Sequence, residues 1–286
     1  SLDTGIQVSK ELKKNGYKVK ISEPDFSLKT NIRKFRPDII FNALHGQYGE
    51  DGYIQSIIEG FKIPYTHSGV IPSAIAMDKD ISKKIFSKNK IRTPKYFIYS
   101  FNLKKKDLIT KINKKLKFPV VVKPLNEGSS VNVYICNKNN IIRILNSISN
   151  YKKIMIEEFI GGREIQVAIM GNKILGAIEL KPKRKFYDYQ AKYNRKAKTE
   201  HIIPVKIKKK KLNEVLQIAY KAHKIIGCRG VTRSDFKYYN EKFYLLEINT
   251  QPGMTKLSLV PEIAAHRGIS FIELIEWILR DASKKK

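Results

Sequence analysis

The sequence predicts an α/β protein of more than one domain, open and parallel at its front and with a β-hairpin in its last third. Three observations carry this. The 286 residues exceed the roughly 100–200 of a single domain. The first part of the chain alternates apolar strand-like runs, glycine loops and segments of helical periodicity, the signature of a parallel α/β sheet. Further on, two segments of apolar–polar alternation flank a short polar connection, the signature of a hairpin.

Taken in order, residues 3–15 read as a helix closed by Gly16, followed by a strand from Tyr17 to Ile21 and an apolar strand from Asp38 to Leu44. A glycine-rich loop, His45 to Gly52, feeds a helix whose Ile54, Ile57, Ile58 and Phe61 share one face. Such a unit normally opens with a strand. None precedes the first helix and residue 1 is not methionine, so the N-terminal domain is expected to lack its first strand. Ser73 to Asn89 reads as one helix, with Ala74, Met77, Ile81 and Ile85 on one side and Lys79 near its start. Pro94 ends that region. Strands follow at Tyr96 to Tyr99 and Phe118 to Val122, then a third unit begins near Glu157 with several strands and a helix from Leu212 to Ile226 stopped by Gly227. The last helix opens with Ser270 and Glu273 in capping-box spacing. The expected domains are 1–68, 69–157 and 158–286.

Lys and Arg number 56 against 26 Asp and Glu, a formal charge of +30, so a phosphate-bearing partner comes first to mind. The lysines are spread along the chain, and no zinc-finger, RNA-platform or basic-zipper pattern accompanies them. No specific nucleic acid is therefore expected, and most of the charge reads as solvated surface. No apolar run approaches the ~18–20 residues that cross a bilayer, and no signal region opens the chain. Two distant cysteines, Cys136 and Cys228, fit a reduced cytoplasmic protein. The five histidines lack zinc-ligand spacing.

The sharpest chemical pattern is Val231-Thr-Arg-Ser-Asp235 followed by Phe243-Tyr-Leu-Leu-Glu-Ile-Asn249. If Tyr239 faces Phe243 across a three-residue loop, Asp235 faces Glu247 and Arg233 faces Asn249 on one side of the hairpin. Two carboxylates ~5 Å apart repel unless a cation lies between them, and Mg²⁺ or Mn²⁺ suits an all-oxygen set. A two-residue loop would change the parity and put the two carboxylates on opposite faces. A second pattern, Phe118 to Val131, ends an apolar strand in Lys123 and continues through Gly128, Ser129 and Ser130, small residues that let backbone N–H groups approach phosphate. It is not a P-loop, because neither the motif nor a following helix is present. A third, Met155 to Glu164, brackets Glu157 with apolar residues and breaks at Gly161 and Gly162. Its carboxylates could accept an adenine amino group or ribose hydroxyls, or form an ordinary acidic strand end. The aromatic stretch Phe186 to Tyr193 reads either as a lid or as interface packing.

Together these segments resemble the D-alanine–D-alanine ligases of the ATP-grasp superfamily. The likeness runs from residue 1 to about 280 through Ala43-Leu-His-Gly46, Gly49-Glu-Asp-Gly52, Ile63-Pro-Tyr-Thr66, Ala76-Met-Asp-Lys79, Glu127-Gly-Ser-Ser-Val131, Phe186 to Tyr193, Pro252-Gly-Met-Thr255 and Ser258-Leu-Val-Pro261. It implies an ATP-grasp fold holding ATP between its second and third domains, and usually a homodimer. Lys79 and Lys123 would contact phosphates or base, Ser130 the phosphates, Glu157 with Phe159 and Ile160 the adenine, Glu164 the ribose, and Lys192 the γ-phosphate. Asp235, Glu247 and Asn249 would hold two Mg²⁺ ions. His45, Ser129 and Tyr193 would line the substrate site, and Ser258 and Leu259 would bind the carboxylate of the second D-alanine. Arg233 and the N–H of Gly253 would stabilise a tetrahedral oxyanion.

The implied reaction phosphorylates one D-alanine carboxylate with ATP and lets the amine of a second D-alanine displace the phosphate, making a cell-wall precursor. Tyr193 favours amine over hydroxyl attack, since depsipeptide-forming relatives generally carry another residue there. The chain departs from the pattern in several places. It begins at the Ser-Leu of a segment whose glutamate binds the first substrate's ammonium group, and it carries Thr232 for glycine, Ser234 for an apolar residue and Gln251 for a small one. Competing readings are an ATP-grasp ligase for other carboxylate and amine substrates, a nucleotide-binding scaffold without turnover, and a non-specific nucleic-acid binder.

Overall fold

A computed structural model describes residues 1–128, 131–182 and 199–284. The expected contributions of Ser129, Ser130, Lys192, Tyr193 and the aromatic stretch from Phe186 lie outside the described residues.

The front of the molecule is helical. Helix α1 (Leu2–Lys14) ends at Asn15 and Gly16, whose φ of +85° suits glycine, and α2 (Leu28–Phe35) and α3 (Tyr53–Glu59) follow. The two strands expected here do not form. Residues 17–21 join no ladder, and 38–44 contributes one parallel bridge, Ile40 to Tyr65, in which the Ile40 N–H donates to Pro64 O at 2.9 Å. Apolar character predicts burial and not pairing: Val19 and Phe41 do pack against the C-terminal core, while Ile40 and Leu44 pack around Ile54, Ile58 and Tyr65.

The single helix expected over 73–89 is two, α4 (Val70–Met77) and α5 (Lys79–Lys88). Asp78 separates them in extended conformation and accepts from the N–H groups of Asp80 and Ile81, an N-cap that restarts the helix. The break turns α5, so that Ile81 is exposed while Lys79, Ser82, Lys83 and Phe86 are buried.

Two antiparallel sheets follow among the described residues. The first has four strands in the order β1-β4-β2-β3, namely β1 (Tyr96–Tyr99), β2 (Val120–Pro124), β3 (Tyr134–Cys136) and β4 (Ile154–Glu158). Helices α6 (Lys105–Lys115) and α7 (Ile141–Ser147) cover one face through Leu108, Ile112, Ile141 and Leu145. The second has five strands in the order β7-β6-β5-β8-β9, formed by β5 (Arg163–Met170), β6 (Lys173–Lys181), β7 (Glu200–Ile202), β8 (Val231–Tyr239) and β9 (Lys242–Asn249). Helix α8 (Lys209–Ile226) packs Val215, Ala219, Ala222 and Ile226 on one face with Phe86 of α5. The other face meets α9 (Leu259–His266), α10 (Phe271–Ser283) and α1. Gly227 ends α8 at φ +80°, and the Ser270–Glu273 capping box opens α10, both as expected.

The mixed α/β class is thus present, with antiparallel sheets carrying most of it. Residues 159–162 join the two sheets. At Gly162, φ is +82° and any Cβ would collide with the carbonyl oxygen of Tyr238, so the crossing admits no side chain there.

Candidate active site

Strand alternation divides β8 into two rows. Thr232, Ser234 and Phe236 turn toward α8, and Arg233, Asp235 and Lys237 toward the first sheet. Thr232, where a glycine was expected, is hydrogen-bonded to His223 of α8 at 2.8 Å, and burial pushes that imidazole down to about 4. Asp235 and Lys237 of the inward row border a cavity between the two sheets, lined on one side by Lys79, Val121, Lys123 and Glu157 and on the other by these two with Glu164 and Glu247. Phe159 and Ile160 close its end at the crossing between sheets.

Asp235 faces Glu247 and Arg233 faces Asn249, as expected, but by another route. The connection has two residues, Asn240 and Glu241, both with positive φ (+46° and +57°), and Tyr239 pairs with Lys242. That parity would separate the carboxylates. A β-bulge restores it: Phe236 faces Leu245, Asp235 faces Glu247, and Leu246 is the extra residue.

Opposed carboxylates at this spacing repel by about 3 kcal/mol at an effective dielectric near 20. Cations offset this. Arg233 grips Asp235 through Nε at 2.7 Å and its terminal nitrogen at 3.0 Å, and Lys79 Nζ lies 3.8 Å from Glu247. Lys79 also donates to the carbonyl oxygen of Glu127 at 2.5 Å. Burial holds the Lys79 ammonium below the ordinary lysine range, with Glu247 pulling the other way.

The facing wall has the opposite balance. Glu157, buried in β4, sits between Lys123 at 2.6 Å and Lys83 at 3.1 Å. Burial raises its carboxyl, but the two lysines outweigh burial and hold it below the usual range. Lys83 is wholly buried in α5, its Nζ 5.7 Å from the centre of the Tyr96 ring, and burial brings it down to about 8. Lys83 was not anticipated. Its signal was its spacing of four from Lys79, which puts both on one helix face. Lys237, also missed, pairs across strands with Glu164 at 2.9 Å, and the alternation that singled out Arg233 and Asp235 reaches it as well.

His45, Gly253, Ser258 and Leu259 are not among the residues that line the cavity. His45 Nδ1 lies 3.1 Å from Glu50 and 3.2 Å from the carbonyl oxygen of Gln251, and its Nε2 lies 3.1 Å from the Thr4 hydroxyl. A Cβ on Gly253 would sit 3.1 Å from Ser258 Oγ, so these two residues are neighbours. Ser258 precedes α9 in extended conformation, its Oγ accepting from the Thr255 N–H, and Leu259 starts the helix.

The donor set fits a hard divalent cation. Asp235, Glu247 and Asn249 present oxygen from paired positions of two strands. Among the described residues no group of three or more His, Cys, Asp or Glu could hold a metal ion by itself, and Mg²⁺ bound here would complete its shell with phosphates and water. Among the described residues no helix is long and apolar enough to cross a membrane.

Comparison with known proteins gives a consistent result. Residues 1–68 match the family model for the D-Ala D-Ala ligase N-terminus, and 87–280 that for the C-terminus. The chain is 71% identical over 283 residues to a D-alanine–D-alanine ligase of Pelagibacter ubique, covering 99% of this chain and 93% of that protein. A ligase of Zymomonas mobilis is 43% identical over 292 residues, at 99% and 89% coverage. Among solved structures, the Bacillus anthracis D-alanine–D-alanine ligase complexed with ATP superposes with a TM-score of 0.83 at 30% identity, covering 98% of this chain and 91% of that one.

Proposed function

This chain belongs to the D-alanine–D-alanine ligase family, and from that premise we propose how its residues join two D-alanines with ATP. It is an ATP-dependent ligase of the ATP-grasp fold, and its product, D-alanyl-D-alanine, is a precursor of peptidoglycan. The observation that carries the residue assignment is convergence: Lys79, Lys123, Glu157, Glu164, Asp235 and Glu247, far apart in sequence, border one cavity.

In this reading the polyphosphate lies against Lys79 and Lys123, with Ser130 and Lys192 completing its contacts. The adenine packs at Phe159 and Ile160, and the ribose hydroxyls meet Glu164. Glu157 sits at the adenine end as well as holding Lys123 in place, since both its oxygens already face lysines. Asp235, Glu247 and Asn249 would hold two Mg²⁺ ions, whose chemistry is to draw charge from the γ-phosphate and the departing ADP.

A carboxylate oxygen of the first D-alanine, placed near His45 and Ser129, attacks the γ-phosphorus, the bond to the bridging oxygen breaks, and D-alanyl phosphate forms. The amine of the second D-alanine attacks the acyl carbon. The resulting oxyanion is met by Arg233 and the Gly253 N–H, donors fixed before reaction. Phosphate leaves as the carbonyl reforms. The second carboxylate binds at Ser258 and the first turn of α9, where backbone N–H groups have no partner within the helix. Tyr193 orders the amine as the attacking group.

The division into 1–68, 69–157 and 158–286, a cytoplasmic location and a homodimer belong to the same proposal. Incubation with ATP, Mg²⁺ and D-alanine should yield D-alanyl-D-alanine and phosphate in equal amounts. Phosphate release with another amino acid and none with D-alanine would overturn the substrate assignment.

A further inference from the structure

One residue between β9 and α9 reaches three parts of the site at once. Gln251 is 1% exposed. Its Nε2 donates to the carbonyl oxygen of Leu44, and its Oε1 accepts from Asn42 Nδ2 at 2.8 Å. Its backbone N–H donates to Asn249 Oδ1 at 2.8 Å, and its carbonyl oxygen lies 3.2 Å from His45 Nδ1. All four polar groups are engaged.

The partners make the arrangement consequential. Segment 42–45 has no β-ladder to hold it, only the bridge at Ile40, so side chains must fix it. Asn42 is buried and does part of this, donating to Gly49 O at 3.2 Å and accepting from the Leu44 N–H at 3.1 Å. Gln251 supplies the link to the cation-binding strand. Both neighbours of His45 Nδ1, the Glu50 carboxylate and the Gln251 carbonyl, accept only, so a proton belongs on Nδ1, and Nε2 meets the Thr4 hydroxyl. A small residue at 251 could not reach Leu44.

We propose that Gln251 is a positioning residue that ties the His45 loop to Asn249, setting the first D-alanine and the divalent cation in register with each other. This rests on the ligase reading above. The test uses Gln251→Ser, Gln251→Glu, Asn42→Ala and the double variant Asn42→Ala/Gln251→Ser in the full chain. The measurements are KM for D-alanine and for ATP, Mn²⁺ affinity by paramagnetic resonance with ADP present, and Tm.

Gln251→Ser should raise the KM for D-alanine and the Kd for Mn²⁺ by about 3- to 30-fold each, with KM for ATP within about twofold. Gln251→Glu keeps the shape but loses the donor to Leu44, and should raise the KM for D-alanine similarly. The double variant should be milder than the product of the two single changes, because the Asn42–Gln251 bond is shared, though Asn42 also has its own contacts to Gly49 and Leu44. A lower Tm with D-alanine and Mn²⁺ binding unmoved, an equal rise in KM for ATP, wild-type behaviour of Gln251→Glu, or additive effects of the two sites would each overturn the proposal. Absence of dipeptide from the wild-type chain would instead overturn the ligase reading, and the Mn²⁺ titration would still test the link to Asn249.

Discussion

The two walls of the cavity use the same kinds of side chain in opposite proportion. On the β2–β4 side one carboxylate, Glu157, stands between two lysines. On the β8–β9 side two carboxylates, Asp235 and Glu247, face each other, and one arginine grips the first. Among these six groups the first wall has the surplus cation and the second the surplus anion, while Glu127 and Glu158 also line the cavity and Lys79 lies 3.8 Å from Glu247. In the proposed reading a polyphosphate would lie against the one and a divalent cation against the other.

Removing the anionic surplus should break this contrast most severely. Asp235→Ala or Glu247→Ala should lower the rate of dipeptide formation by about 10³-fold or more while ATP still binds, as measured by phosphate release beside calorimetry. Turnover within tenfold of wild type would remove these two from the metal site. Lys123→Met removes the cation proposed to meet phosphate, and should cost about 10²-fold in kcat/KM for ATP with KM for D-alanine little changed. Lys83→Met acts one step back, through Glu157. A rise in KM for ATP of about tenfold is expected, and Lys83→Met/Glu157→Gln should be milder than the product of the single changes, because each single change strands a buried partner. Strict additivity would show that the two do not work as a pair.

The smallest effect is on stability. Burial brings Lys83 down to about 8 from an unfolded value of 10.5, so between those limits the unfolded chain holds a proton that the folded chain has released. Stability owed to this group therefore rises with pH from about 8 to 10.5, is complete above that, and is lost as pH falls through 8. Urea titrations across this range should give a steeper rise for wild type than for Lys83→Met. Parallel curves would mean that Lys83 keeps an ordinary affinity for its proton.

Most of both walls was legible in the sequence, Lys79, Lys123 and Glu157 on the first and Glu164, Asp235 and Glu247 on the second, while Lys83 and Lys237 were missed. Alternation on both sides of Asn240 exposed the hairpin, and the facing of Asp235 and Glu247 followed from it. The route was hidden, because the two-residue turn breaks the parity and a bulge at Leu246 mends it, and no glycine or proline marks that bulge. Lys83 was obscured by composition: among 56 basic residues a buried lysine looks like any other. Its visibility also depended on the restart at Asp78, which turned α5 away from the face its apolar residues suggested. The strands expected at 17–21 and 38–44 failed for a different reason. A ladder belongs to two backbones, and the apolar pattern of one segment says nothing of where a partner lies.

Gly162 leaves a mechanical consequence. The two sheets are the jaws of a clamp, and the crossing between them closes only because hydrogen stands where a methyl group would meet the Tyr238 carbonyl. Even alanine there would act as a wedge, leaving the chemistry of both jaws intact while changing the gap. The bite of the enzyme is set by the absence of one carbon atom.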